Sequence, residues 1–287
     1  MKRLFLAGIL AAVMALVPAS LAFGASHNPT GEFAQFNECP LNNEATAGCV
    51  YSESSGGVFT VGKKEVPLVN TVIFQGGLTL GGEEFIGAEN GETIIPTPQP
   101  VPGGLLGIEA PGWWPGWLQS WFNNLINEGF TGVTATVELA GSASNVEVNT
   151  TNLILETGTA LSLPVKIKLS NLILGGNCYI GSDSSPVVID FTSGTTEPPP
   201  PNEPITGAAG EISISGGGKI ITLSGGALVN NSFAAPAADG CGGIFSFFID
   251  PLVNDILGAP SPAGTNTAIL EGKLQTADAN AVRASEE

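Results

Sequence analysis

Val133-Thr134-Ala135-Thr136-Val137-Glu138-Leu139 decides the fold, because apolar and polar side chains alternate through it without a break. Successive side chains of an extended strand point to opposite faces, so this pattern gives one dry face and one wet face. Val165, Ile167, Leu169 and Leu172 against Lys166, Lys168 and Ser170 repeat the pattern within residues 161–174. Sheets with one face on a core read this way, and such sheets are antiparallel. Further apolar runs follow at Val146-Glu147-Val148, Leu153-Ile154-Leu155, 187–191 and 267–274. Gly62-Lys63-Lys64 parts two β-type runs, and Gly216-Gly217-Gly218 parts Ile212-Ser213-Ile214 from 219–223. Both are hairpin signals. Together these segments predict an all-β protein: a large antiparallel β-sandwich or barrel-like domain with one or two short helices.

One helix is expected over 113–127. Trp114, Trp117, Leu118, Trp121, Phe122, Leu125 and Ile126 recur at helical spacing, and Gln119, Ser120, Asn123 and Asn124 take the other side. Pro115 suits its first turn, and Gly129 its end. All four tryptophans of the chain lie between residues 113 and 121. Trp114, Trp117, Trp121 and Phe122 are therefore the candidate apolar face. The face either plugs the open end of the β domain as core or is presented to an apolar ligand or partner. The plug is the preferred expectation, since an exposed patch of that size invites aggregation. A second short helix is expected over 252–257, capped by Asp250, with Pro251 in its first turn and Gly258 after it.

Composition agrees with turn-rich β structure. Charged residues are 12% of 287, with 39 Gly and 21 Pro, well under the roughly 25% charged residues of an ordinary domain. Pro96, Pro98, Pro100 and Pro102 alternate, which suggests an extended stretch and a subdivision near 96–112. Otherwise 23–276 reads as a single β-rich domain, and 277–287 as a disordered tail.

The start reads as a secretory signal peptide over 1–22: Met1-Lys2-Arg3, an apolar run, then Ser20 and Ala22 at the positions that signal peptidase reads. Cleavage after Ala22 removes two of the nine basic residues. Seven then face 26 acidic residues, a net charge of about −19. Such a chain does not bind nucleic acid, which demands clustered Lys and Arg, and charge does not draw it to anionic lipid. No later stretch is long and apolar enough to span a bilayer as a helix.

An exported chain with four cysteines implies two disulfides, and three pairings exist. Cys39–Cys49 with Cys178–Cys241 is the expected one, because the first pair closes a short turn-rich loop. No metal site or cofactor is expected. His27 is the one histidine and lies near the expected new amino terminus, so a Ser-His-Asp triad is disfavoured. Paired carboxylates for hydrolysis would come from Asp183, Asp190, Asp239, Asp250 or Glu83-Glu84, most of which read as turn or cap residues. Glu83, Glu84, Glu89 and Glu92 form the densest acidic loop and read as solvated.

Leu163-Pro164-Val165-Lys166, the run from Gly176 to Ser182 around Cys178, Thr192-Ser193-Gly194-Thr195-Thr196, Asn231-Ser232-Phe233-Ala234 and Gly240-Cys241-Gly242-Gly243 resemble motifs of uncharacterised secreted proteins of actinobacterial type. So does the segment from Phe36 to Cys49. These short blocks cover about half of the chain after the signal. The resemblance implies export and brings no activity. The resulting expectation is a secreted, non-enzymatic structural or binding protein of the cell envelope or extracellular space. Its partner would be an apolar small molecule or an envelope component. A carrier of an apolar, lipid-like ligand is one alternative, and a carboxylate-dependent hydrolase is the other.

Overall fold

The computed structural model describes residues 27–82, 84–104, 112–128 and 132–286. The expected signal peptide lies outside the described residues, as do Glu83 and Gly129.

Strand β1 (Gly48–Val61) lies at the centre of the first sheet. On one side it pairs β14 (Thr267–Asp278), followed by β12 (Ile220–Asn230) and the edge strand β11 (Glu211–Ser215). On its other side lie β3 (Val72–Leu78), β4 (Phe85–Gly87) and, further along, β2 (Lys64–Pro67). All pairs are antiparallel. Both expected hairpins form: Val61 pairs Lys64 around Gly62-Lys63, and Ser215 pairs Ile220 around the three glycines.

The second sheet is built on β8 (Leu161–Asn171). β6 (Thr134–Leu139) and β7 (Glu147–Val148) line one side of it, and β9 (Gly175–Ile180) and β10 (Val187–Phe191) the other. β5 (Gln99–Pro100) continues outside β6, and β13 (Ala238–Asp239) outside β9. The alternation that decides the fold appears directly in the register: Ala135, Val137 and Leu139 lie opposite Leu169, Ile167 and Val165. Leu161, Leu163, Val165, Ile167 and Leu169 are all buried, each stabilising the fold by roughly 1.5–3 kcal/mol.

Thr192 and Val229 exchange both backbone hydrogen bonds, at 3.0 and 2.8 Å, joining the end of β10 to β12. The two sheets of the sandwich therefore meet along one corner. Bulges in β1 at Ser54/Gly56 and in β12 at Ser224/Gly226 both face Gly272 of β14. A Cβ on Gly272 would lie 1.9 Å from the Glu53 carbonyl oxygen, so only glycine permits this approach. Aligned bulges bend a sheet.

Both expected disulfides are present, Cys39–Cys49 and Cys178–Cys241. The first ties the turn at Gly31–Phe36 to β1, and the second ties β9 to the segment leading into a helix.

Three expectations change. Within the stretch 277–287 expected to be a disordered tail, the described residues 277–286 are ordered: β14 runs to Asp278, and α4 (Ala279–Ala284) follows with Ala279 and Val282 fully buried. The Asp278 carboxylate caps α4 by accepting from the Ala281 N–H at 2.9 Å. The alternating prolines are not a free linker in their described part, because β5 pairs β6 and the buried Gln99 amide binds Val69 and Asn70. The helix expected over 252–257 begins earlier, giving α3 (Ser246–Leu257) with Pro251 inside it. Asp250 caps no helix. Its carboxylate accepts from the Cys241 N–H at 2.7 Å, holding the disulfide loop. A further short helix, α2 (Thr150–Leu155), is capped by the Asn149 side chain.

Candidate apolar binding site

The inter-sheet layer is not filled. Near one end lies an apolar cavity of about 80 Å³, or about 880 Å³ with its open mouth. Its walls are Phe59 and Val61 of β1, Val66 of β2, Ala135 and Val137 of β6, and Ile167 and Leu169 of β8. The alternation therefore sends these side chains inward, where they pack on the core and also border this space. The accessible surface of the cavity is almost wholly carbon. Gln99 reaches the wall, but its amide is satisfied by backbone groups, so it offers the cavity no free polar group by design of the loop. A second apolar cavity of about 80 Å³ lies toward the other end, against Val50 of β1 and Leu161 of β8. At its margin Lys273 pairs with Glu53 at 3.0 Å, and the Tyr51 hydroxyl donates to Glu53 at 2.7 Å. Burial alone would raise the Glu53 carboxyl, but the hydrogen bonds from Tyr51 and Lys273 hold it below the usual range. Burial, then the bond to Glu53, pushes the Tyr51 hydroxyl up to about 12.

The first cavity is also lined by Lys64 of β2, by Val253, Ile256 and Leu257 of α3, and by Gly104 and Val133. The last two are the ends of the aromatic segment, and the Val101 N–H donates to the Val133 carbonyl at 2.9 Å, drawing those ends together.

Its helix, α1 (Gly116–Glu128), starts after Pro115, whose carbonyl accepts from Leu118 and Gln119. The expected aromatic face is split. Trp113, Trp117 and Trp121, spaced four apart, are 83%, 74% and 59% exposed. Trp114 is half-buried and packs edge-on against Phe122, with ring centroids 5.4 Å apart. Trp117 and Trp121 therefore are not core, and the plug expected of this face is not formed by them. The side chains of Leu125 and Ile126 lie outside the described residues.

Of the expected carboxylates, Asp183 and Asp239 line one depression, and Asp190 and Asp250 lie elsewhere. Asp183 accepts from Lys166 at 2.8 Å and from the Gly141 N–H at 3.0 Å. The Lys166 hydrogen bond holds its carboxyl low, and the same bond raises Lys166. Asp239 and Asp183 share one open polar depression with Tyr179, which Lys166 and Lys168 flank. Asp190 accepts from Ser162, and Asp250 serves the Cys241 loop. In the acidic loop, Glu89 accepts from the Asn42 backbone N–H at 2.8 Å and from its side-chain amide.

His27 is not in a frayed end. Its Nδ1 lies 2.7 Å from a Glu286 carboxylate oxygen, stapling the two ends of the described chain. Its Nε2 makes no hydrogen bond among the described residues, so no hydroxyl there completes a triad. Among the described residues no group of His, Cys, Asp and Glu is arranged to hold a metal, and no helix is long and apolar enough to cross a membrane.

No protein-family model matches this chain, and no curated protein or solved structure matches it.

Proposed function

We propose that this is a secreted binding protein that takes the end of an apolar, lipid-like chain between its sheets. The observation that carries the reading is the carbon-lined cavity between the two sheets, which α3 also lines. An engineered protein cavity of roughly 150 Å³ stays dry and binds benzene. A cavity of about 80 Å³ suits a shorter apolar group, such as the last few methylenes of an acyl chain. The rest of the chain then extends toward solvent, to which the cavity is partly open. Burial favours such a ligand by about 0.8 kcal/mol per methylene. The walls offer little to a sugar or an ion, which bring polar groups that must be paired when buried.

Native mass spectrometry tests this on protein recovered from its producing cells, before and after extraction with organic solvent. An extractable adduct that rebinds as a single-chain lipid, one per protein, supports the reading. Loss of the adduct without rebinding, or no uptake of lysophosphatidylcholine by the stripped protein, refutes it.

A further inference from the structure

The outer face of α3 and the turn that precedes it are exposed and rich in aromatic side chains. Ile244 is 85% exposed, Phe247 66% and Phe248 67%, with Phe245 and Leu252 beside them. This face is presented by a rigid mount. Cys241, three residues before Ile244, is bonded to β9. Asp250 holds the Cys241 N–H, and the Asn254 side chain both donates to and accepts from the Ala238 backbone, at 2.9 and 2.7 Å. A Cβ on Gly242 would lie 2.6 Å from Ile249, so the turn before the helix is closely packed as well. The opposite face of the same helix puts Val253, Ile256 and Leu257 on the cavity.

We infer that this face of α3 is a docking site for a lipid surface with uncharged or zwitterionic headgroups. The side chains project from a convex helix, which suits entry into a soft apolar layer. Phe and Leu are side chains that enter the apolar boundary of a membrane, and Phe247, Phe248 and Leu252 stand exposed on this helix. Charge selects the kind of surface. No Lys or Arg occurs from residue 220 to residue 272, and Lys63, at the far end of α3, donates to the Asp255 carbonyl at 3.0 Å. With a net charge of −17 the chain is repelled by anionic lipid. A ligand leaving the layer would pass along α3 from its outer face to its cavity face. In that respect the inference rests on the proposed ligand, although the docking face itself does not.

The test is flotation with phosphatidylcholine vesicles and with vesicles containing phosphatidylglycerol. The protein should float with the first, bind the second more weakly, and keep its phosphatidylcholine binding in molar salt. Replacing Phe247 and Phe248 by Ser (F247S/F248S) should lower the partition coefficient about tenfold or more, with circular dichroism and melting unchanged. If that double variant unfolds, Leu252→Ser with Ile244→Ser on the same face serves in its place and should weaken flotation in the same direction. No flotation of the native protein overturns the inference. So does flotation that both variants keep, or a dimer in sedimentation that the same substitutions dissolve, which would make a second copy the occupant. Flotation without any bound lipid chain would leave docking standing and refute the ligand. Ligand uptake without flotation would do the reverse.

Discussion

Filling the first cavity should stabilise the protein and abolish ligand uptake together. Ala135 is the position for it. Its Cα lies opposite Gln99 and Leu169 in the second sheet, and its side chain is one wall of the cavity. At roughly 24 cal/mol per Å³, an empty space of about 80 Å³ costs about 2 kcal/mol. Ala135→Leu adds apolar carbon worth up to about 2.4 kcal/mol if it is fully buried. Fixing the leucine rotamer removes about 0.5–1 kcal/mol of that. The net expectation is a gain of up to about 1.4–1.9 kcal/mol, or a rise of roughly 3–8 °C in the melting midpoint for a domain of this size. Urea unfolding with intact disulfides measures the first quantity, and lysophosphatidylcholine uptake followed by native mass spectrometry the second. A loss of more than 1 kcal/mol would mean that no such space exists in solution. A gain in stability with unchanged uptake would place the ligand elsewhere, and the second cavity, beside Glu53 and Lys273, would be the next to fill.

Four other outcomes follow from the same structure. Glu53 has a folded-state carboxyl held low, so its contribution is present at neutral pH and lost as pH falls through its folded pKa; Glu53→Gln should flatten the acid limb of a stability–pH curve. The pair is partly exposed, so the difference should stay under about 1 kcal/mol. Glu38 is raised by burial and then by Glu92 and Glu89, so its charge opposes folding above the usual carboxylate range; Glu38→Gln should stabilise at pH 7, and chemical denaturation should show that gain vanish toward pH 3. The cysteines of the two disulfides are separated by 10 and 63 residues, so replacing both Cys178 and Cys241 by Ala should cost about 4 kcal/mol, against about 3 for Cys39 and Cys49. Equal unfolding midpoints for the two double variants would contradict that order. Tryptophan emission of the free protein should be red-shifted and open to acrylamide, because Trp113, Trp117 and Trp121 are exposed; a blue-shifted, shielded spectrum would contradict their placement.

Strands were legible wherever one face meets the core and the other meets water. Residues 133–139 and 161–171 carry that difference in every second position, and their register follows from it. Alternation did not say whether a strand is covered, however. Ile212 and Ile214 alternate with serines as cleanly as any core strand, yet both are exposed, because β11 is the sheet edge. The start of the helix at 246–257 is hidden in the sequence, since Phe245, Phe247, Phe248 and Ile249 crowd apolar side chains around a lone Ser246 and give no helical period to detect. The tail hides its order for another reason: its buried anchors, Ala279 and Val282, are small, and its other ties reach far along the chain, Arg283 donating to the Leu41 carbonyl and Glu286 meeting His27. Helical spacing gathered the aromatic residues correctly but could not divide Trp113, Trp117 and Trp121 from Trp114 and Phe122, because that division depends on what packs beside the helix. The cavity had no signature at all. A void is set by how far apart two sheets are held, and Ala135 and Val137 read the same whether they meet neighbours or space.

That exposed aromatic stripe also explains a tension in the composition. Phe247 and Phe248 are not needed by the core, since Val253 and Leu257 already bury the inner face of α3. Left uncovered, such residues drive association between copies. The chain counters this with charge rather than with burial: 26 acidic residues against nine basic ones repel a second copy at every approach. The repulsion acts over about 8 Å at physiological salt and fades for surfaces that carry no net charge. An acidic body therefore keeps the aromatic face free in water while leaving it open to a neutral layer. High salt should accordingly favour self-association and leave docking on phosphatidylcholine intact, and the two responses can be read in one sedimentation and flotation series.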